Sequence, residues 1–197
     1  MTMDSSMDVL IEAGKELFST KGYMGTSVRE IARAAGTNVS MISYYFGGKE
    51  GLYREILGGL VSEVKGLFDD PSVGLLSPME RVAHYARSVS KVHDENPCLA
   101  RILHHEMNSP SPMLEELQRE VFPRVFGFLV KAFKDGIGQG VFRDDVDPKV
   151  MSYCLASMVN FYRFQRDLVR SFSPNLVEEG SDFSEKVLKV FFRGVMA

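Results

Sequence analysis

Cysteine is scarce: Cys98 and Cys154 are the only two in 197 residues. Their spacing matches no metal or redox motif, as expected of a chain kept in a reducing cytoplasm. Long apolar runs are also missing. The best candidate, around Val150–Tyr162, is interrupted by Ser152, Ser157 and Asn160, so no bilayer span and no membrane partner is expected. The opening "MTMDSSMDVL" has no basic region before its apolar residues, which argues against a secretory signal. No segment alternates apolar and polar residues at the period of a strand. An excess of either charge is nearly absent: 23 lysines and arginines against 26 acids leave net −3. A whole-chain sum can still hide a patch: from Lys21 to Arg54 five cations (Lys21, Arg29, Arg33, Lys49, Arg54) face two acids (Glu30, Glu50), net +3.

What is present repeats at the helical period from end to end. Leu10, Ala13, Gly14, Leu17 and Phe18 make a first stripe, with Ser5 and Ser6 as candidate caps. Val28, Ile31, Ala32 and Ala35 make a second, opened by the capping box Ser27-Val-Arg-Glu30 and closed by Gly36. A third helix is expected from Asn38 to Tyr45, anchored by Ile42 and Phe46, and a fourth along Leu52, Ile56, Leu60, Val64 and Leu67. Met79 to Val89 mark a fifth that Pro97 stops, and Leu99, Ile102 and Leu103 a sixth. Ser111-Pro112 opens a seventh that Pro123 should kink before it runs on through Phe133. Asp147-Pro148 starts another helix, and Phe183–Val195 forms the last. The expectation is an all-α chain of about nine helices.

Two short helices joined by a glycine corner near residue 36 fit a helix-turn-helix, whose second helix enters the major groove of DNA. Thr26 and Ser27 lie at a positive helix start suited to phosphate, with Arg29 and Lys49 adding charge. Tyr44 and Tyr45 offer phenols to phosphate, while Val39, Ser40 and Ser43 are short enough to let bases approach. Adjacent tyrosines cannot both face a small core, which weighs against a purely packing role.

The stretch "GYMGTSVREIARAAGTNVSMISYYFGGKEGLYREIL" resembles the DNA-binding domain of the TetR family of transcriptional regulators. The likeness rests on Gly22-Tyr23, Thr26-Ser27, Ile31-Ala32, Ala35-Gly36, Tyr44, Phe46, Lys49-Glu50 and Leu52, and covers about the first quarter of the chain. It implies recognition by the third helix and phosphate contacts from Ser27, Tyr44, Tyr45 and Lys49. Ser43 stands where the family commonly has tyrosine and Tyr45 where it commonly has histidine, so the operator sequence is not inherited. By the same likeness residues 1–50 form a three-helix DNA-binding domain. Residues 51–197 form a helical domain that binds a small-molecule effector and dimerises. The implied protein is a homodimeric repressor of a palindromic duplex site, with no cofactor and no enzymatic activity.

In the carboxyl-terminal part, Val150–Leu168 is apolar nearly all round and Phe183–Val195 has two apolar edges. Both read as core helices that also bury against a second copy, through Met151, Leu155, Tyr162, Val187, Phe191 and Phe192. A pocket for a mostly apolar effector is expected among His93, His104, Glu106, Met107, Phe122, Phe126, Met158, Phe161 and Tyr162. His104-His105-Glu106 supports an alternative, a metal-dependent or acid–base enzyme. However, the His-Glu-x-x-His pattern fails at Ser109, and adjacent histidines diverge by roughly 100° on a helix. A helical ligand-binding module without DNA binding is the other alternative.

Overall fold

The computed structural model describes residues 3–175 and 183–197. Among them every regular element is helical, and an isolated antiparallel bridge joins Phe142 to Met196. By compactness the chain divides into two units, Met1–Glu63 with Asn96–Gln118, and Val64–Glu95 with Arg119–Ala197.

The first unit holds α1 (Met3–Lys21), α2 (Val28–Ala34), α3 (Val39–Phe46) and the start of α4 (Lys49–Asp69). It also holds α6 (Pro97–Asn108) and most of α7 (Leu114–Glu120). Helix α1 already begins at Met3, upstream of the expected caps at Ser5 and Ser6; the side chains of Ser5 and Leu60 lie outside the described residues. Leu10, Phe18, Ile31, Ile42, Leu52, Tyr53 and Ile56 are buried, one apolar stripe from each of α1 to α4. The rings of Phe18, Tyr23 and Tyr53 cluster, with centroids 4.7 Å apart for Phe18–Tyr53 and 4.9 Å for Tyr23–Tyr53. Helix α6 packs along α1.

The second unit holds α5 (Pro78–Glu95), α8 (Phe122–Gly138), α9 (Pro148–Phe164), α10 (Arg166–Phe172) and α11 (Phe183–Val195), after a 3-10 turn at Pro71–Leu75. Its core is drawn from Val82, Tyr85 and Ala86, from Leu129 and Phe133, from Met151, Leu155 and Val159, and from Val187, Leu188 and Phe191. Gly136 permits a close approach there: a Cβ on it would lie 2.2 Å from Cδ2 of Phe142. Asp147 caps α9 by accepting from the amides of Lys149 (2.6 Å) and Val150 (3.4 Å), with Pro148 in the first turn.

Two expected helices divide. Instead of a kink at Pro123 the chain breaks at Val121, because proline has no amide to donate and so sits best in the first turn of a new helix, α8. The apolar run Val150–Leu168 breaks at Gln165 into α9 and α10.

Candidate nucleic-acid interface

The site is assembled by two caps and a glycine. Ser27 starts α2 in extended backbone; its Oγ accepts from the Glu30 amide at 3.3 Å, and Glu30 Oε2 accepts from the Ser27 amide at 2.9 Å. The Ser27 hydroxyl also donates to Glu30 Oε2 at 2.7 Å, and Lys21 donates to Glu30 Oε1 at 2.6 Å. Led by the Lys21 hydrogen bond and then those from Ser27, these contacts pull the Glu30 carboxyl down to about 2. At the other end Gly36 takes φ +63°, and the amides of Gly36 and Thr37 reach back to Arg33 and Ala32 at 3.2 and 2.9 Å. That pair of bonds is a Schellman cap, which turns the chain sharply into α3. Asn38 then caps α3 by accepting from the Ser40 amide at 3.0 Å, and Gly47, at φ +72°, ends it.

Helix α3 is thereby held with Ile42 fully buried and with Val39, Ser40, Ser43 and Tyr44 exposed, Tyr44 by 71%. These four lie on one face, since positions four apart on a helix are neighbours. Tyr45 is half-buried, its ring 5.1 Å from that of Tyr44 in an edge-on arrangement. Ser27 and Arg29 are exposed on α2.

One expected phosphate contact needs correction, and a second residue has a further role. Thr26 is only 2% exposed; its hydroxyl donates to the Gly22 carbonyl at 2.8 Å and lies 3.2 Å from that of Leu17, so it ties the end of α1 to the loop. Lys49 donates to the carbonyls of Tyr23 (2.7 Å) and Thr26 (2.8 Å), with its ammonium 4.2 Å from the Tyr23 ring centroid. Partial burial lowers its pKa. Two of its three protons hold the α1–α2 loop against the start of α4, so its first role is to position the head. The signal available in the sequence was Tyr23 itself, an aromatic able to seat a cation.

The chain matches the family model described as bacterial regulatory proteins, tetR family, over residues 10–56. A second match, to a tetracyclin repressor-like C-terminal domain, covers residues 75–163. The chain belongs to the TetR family. Over 171 residues it is 25% identical to the HTH-type transcriptional repressor NicS of Pseudomonas putida, covering 86% of this chain and 81% of NicS. Over 115 residues it is 30% identical to the "Probable HTH-type transcriptional regulator YttP" of Bacillus subtilis, covering 57% of this chain but only 56% of YttP. The crystal structure of HlyIIR, a hemolysin II transcriptional regulator, superposes with a TM-score of 0.73 at 25% identity, covering 100% of this chain and 99% of that one. TetR proteins are helix-turn-helix transcriptional regulators, and α2 and α3 are that motif here.

The residues expected to line an effector pocket fall in both units. His104, Glu106 and Met107 belong to the first unit, and the other six to the second. Glu106 is 1% exposed and fully engaged: Oε1 accepts from Tyr53 Oη at 2.5 Å, and Oε2 from the Ser111 amide at 3.1 Å and hydroxyl at 2.9 Å. That is the structural role, and it leaves the carboxylate unavailable for the acid–base chemistry the His104-His105-Glu106 run suggested. Among the described residues no group of three or more histidine, cysteine or acidic side chains is placed to hold a metal ion. His105 lies over Gly22, where an added Cβ would meet its Nδ1 at 3.3 Å. Met107 and Phe161 are exposed, Tyr162 stacks on Phe183 at 3.7 Å, and Phe122, Phe126 and Met158 are half-buried. A shallow cleft lined by Val64, Phe68, Asp69, Val121, Arg124 and Val125 contains none of the expected residues.

Five of the six expected dimer residues are corrected as well. Met151, Leu155, Tyr162, Val187 and Phe191 are all buried within the protomer, and Phe192 is half-buried against the same core. On an all-round apolar helix, periodicity alone cannot tell which side its own protomer covers. The side left uncovered on α9 carries Val150, Tyr153, Cys154, Ser157 and Phe161, and Val190 is exposed on α11. Among the described residues no helix is long and apolar enough to cross a membrane.

Proposed function

We propose that the chain is a cytoplasmic, homodimeric, ligand-responsive repressor that binds a palindromic duplex through α3. Residues 1–50 act as the DNA-reading part, and residues 51–197 carry effector binding and dimerisation. One observation carries the reading: α3 turns Val39, Ser40, Ser43 and Tyr44 to solvent while Ile42 anchors it from behind. Eight residues at about 1.5 Å rise give a rod of roughly 12 Å, about the width of the major groove. Small side chains let that rod approach base edges, while the Tyr44 phenol and the amides at the start of α2 are suited to phosphate oxygens.

Dimerisation is supported by the second unit. Tyr153 is 70% exposed, and it shares the outer face of α9 with Val150, Cys154 and Phe161. An apolar stripe of this length on a protomer surface is characteristic of an interface, and a two-fold axis would pair it with itself. In sedimentation, Tyr153→Ser with Phe161→Ser should convert a dimer to monomer; an unchanged dimer would move the interface elsewhere. An effector works by favouring a dimer geometry whose two α3 rods no longer match the half-site spacing, since a ligand indifferent to geometry shifts nothing.

The deciding experiment is selection of duplexes bound by the whole protein, followed by anisotropy titration at several salt concentrations. A palindromic consensus is expected, with affinity that falls steeply with salt because phosphate neutralisation releases counterions. A protein that selects no sequence would leave the alternative of a helical ligand-binding module without DNA recognition.

A further inference from the structure

A buried polar cluster in the second unit is left incomplete. It is built by α5 and α9 from Tyr85, His93, Asp94, Asn160 and Arg163. Asn160 Nδ2 donates to the Ala156 carbonyl at 2.8 Å and lies 3.4 Å from Tyr85 Oη. This orientation turns its Oδ1 toward His93 Nε2, 2.8 Å away, so Nε2 carries the proton and donates. His93 Nδ1 is thereby left with a lone pair, buried and without a hydrogen-bond partner.

Arg163 completes the pattern. Its side chain is 6% exposed, and Nη1 pairs with Asp94. Nε and Nη2 are buried and unpartnered. These two nitrogens form one edge of the guanidinium, the fork that meets both oxygens of a carboxylate in parallel hydrogen bonds. Leaving such donors unsatisfied in the interior is costly, and native proteins rarely do so without a reason. Aromatic rings flank both groups: Phe164 meets His93 edge-on at 5.6 Å, and the Tyr162 ring lies 6.0 Å from the guanidinium carbon.

We infer that the Arg163 edge and His93 Nδ1 form the polar anchor for the effector, and that the effector is a hydroxy acid on an apolar or aromatic body. Its carboxylate takes Nε and Nη2 of Arg163, and its hydroxyl donates to His93 Nδ1. The flanking rings pack on the apolar part. This assignment rests on the ligand-responsive regulator reading and names the chemistry that the reading leaves open.

Calorimetric titration of the full-length protein with 2-hydroxybenzoate, mandelate and 2-hydroxyoctanoate tests it, each alongside its methyl ester and the acid lacking the hydroxyl. At least one hydroxy acid should bind saturably, about 10-fold or more tighter than its ester and measurably tighter than its des-hydroxy partner. Arg163→Met should abolish binding, and Arg163→Lys should weaken it about 10-fold by losing the fork while keeping the charge. Asp94→Asn should keep or tighten it, which a merely structural ion pair would not do. Circular dichroism on each variant separates lost binding from lost fold. Binding by none of the acids, or equal binding by wild type and a folded Arg163 variant, overturns the anchor. Duplex affinity is measured on the same preparations. Duplex binding with no acid response refutes the anchor and spares the regulator reading, whereas Arg163-dependent acid binding with no duplex affinity does the reverse.

Discussion

Two buried polar clusters, one in each unit, show how differently interior hydrogen bonding can be completed. Around Glu106 each oxygen has a donor, from Tyr53 on one side and from Ser111 amide and hydroxyl on the other. Burial, followed by the neighbouring Glu106, pushes the Tyr53 phenol pKa far up, so it remains a donor at any working pH. Around Arg163 and His93 three nitrogens have no partner. A saturated cluster locks one structure, because every group in it loses something if it moves. An unsaturated one holds unmet hydrogen-bonding capacity in reserve. The Glu106 cluster is therefore a structural fastener and the Arg163 cluster a place for something else.

The largest expected effect sharpens that contrast. Glu106→Ala strips partners from a buried phenol, a buried amide and a buried hydroxyl, and should lower unfolding stability by about 3 kcal/mol in urea titrations. Arg163→Met should cost less than about 1 kcal/mol without ligand, because it removes donors already unpaired and leaves only the partly exposed Asp94 alone. Equal losses in the two variants would erase the distinction.

A smaller effect divides the DNA-reading unit in the same way. Tyr44→Ala should weaken duplex binding about 10-fold, worth roughly 1.4 kcal/mol, and leave the unfolding midpoint nearly unchanged, since the ring is exposed. Thr26→Val should do the opposite. It loses the bonds to Gly22 and Leu17 at a cost of about 1 kcal/mol in stability, while the affinity of the folded protein stays the same. An affinity loss in the Thr26 variant at full folding would restore its expected phosphate contact.

The division between what could be read from the sequence and what could not follows the range of the interactions involved. The Ser27–Glu30 box, the Gly36 corner, the Asn38 start of α3 and the Asp147-Pro148 cap depend on residues within five positions of one another, and all formed where expected. The exposed face of α3 followed from the same local logic once Ile42 was taken as the inward anchor. What depended on distant partners was not legible. Thr26 looks like a surface hydroxyl until the end of α1 folds over it, and Lys49 looks like a free charge until the Tyr23 carbonyl meets it 26 residues away. The faces of α9 were likewise ambiguous, since Met151 and Tyr153 are equally apolar as letters and only the packing of α5, α8 and α11 makes one core and the other surface. Arg163 escaped notice because one arginine at the end of an apolar run gives no hint that it is buried.

The smallest expected effect lies at the start of α2, where a polar cluster as saturated as that of Glu106 is partly open to water. Glu30 accepts from Lys21 and from the Ser27 hydroxyl and amide, which draws its pKa from an ordinary 4.5 to about 2. A depressed carboxylate stabilises the fold above its unfolded-state value and loses that contribution as pH falls through the folded one. The cap should therefore hold at neutral pH, weaken only below about pH 4.5 and vanish near pH 2. Carboxyl NMR titration should place the Glu30 midpoint well below 4.5 in the wild type and partly restored toward it in Lys21→Met, with added salt narrowing the gap because exposed charges are screened. A wild-type midpoint at the ordinary value would mean that Lys21 and Ser27 do not hold Glu30 in solution. The same hydrogen bonds that seal Glu106 in the interior would then fail at the surface, and the start of α2 would be left to Ser27 alone.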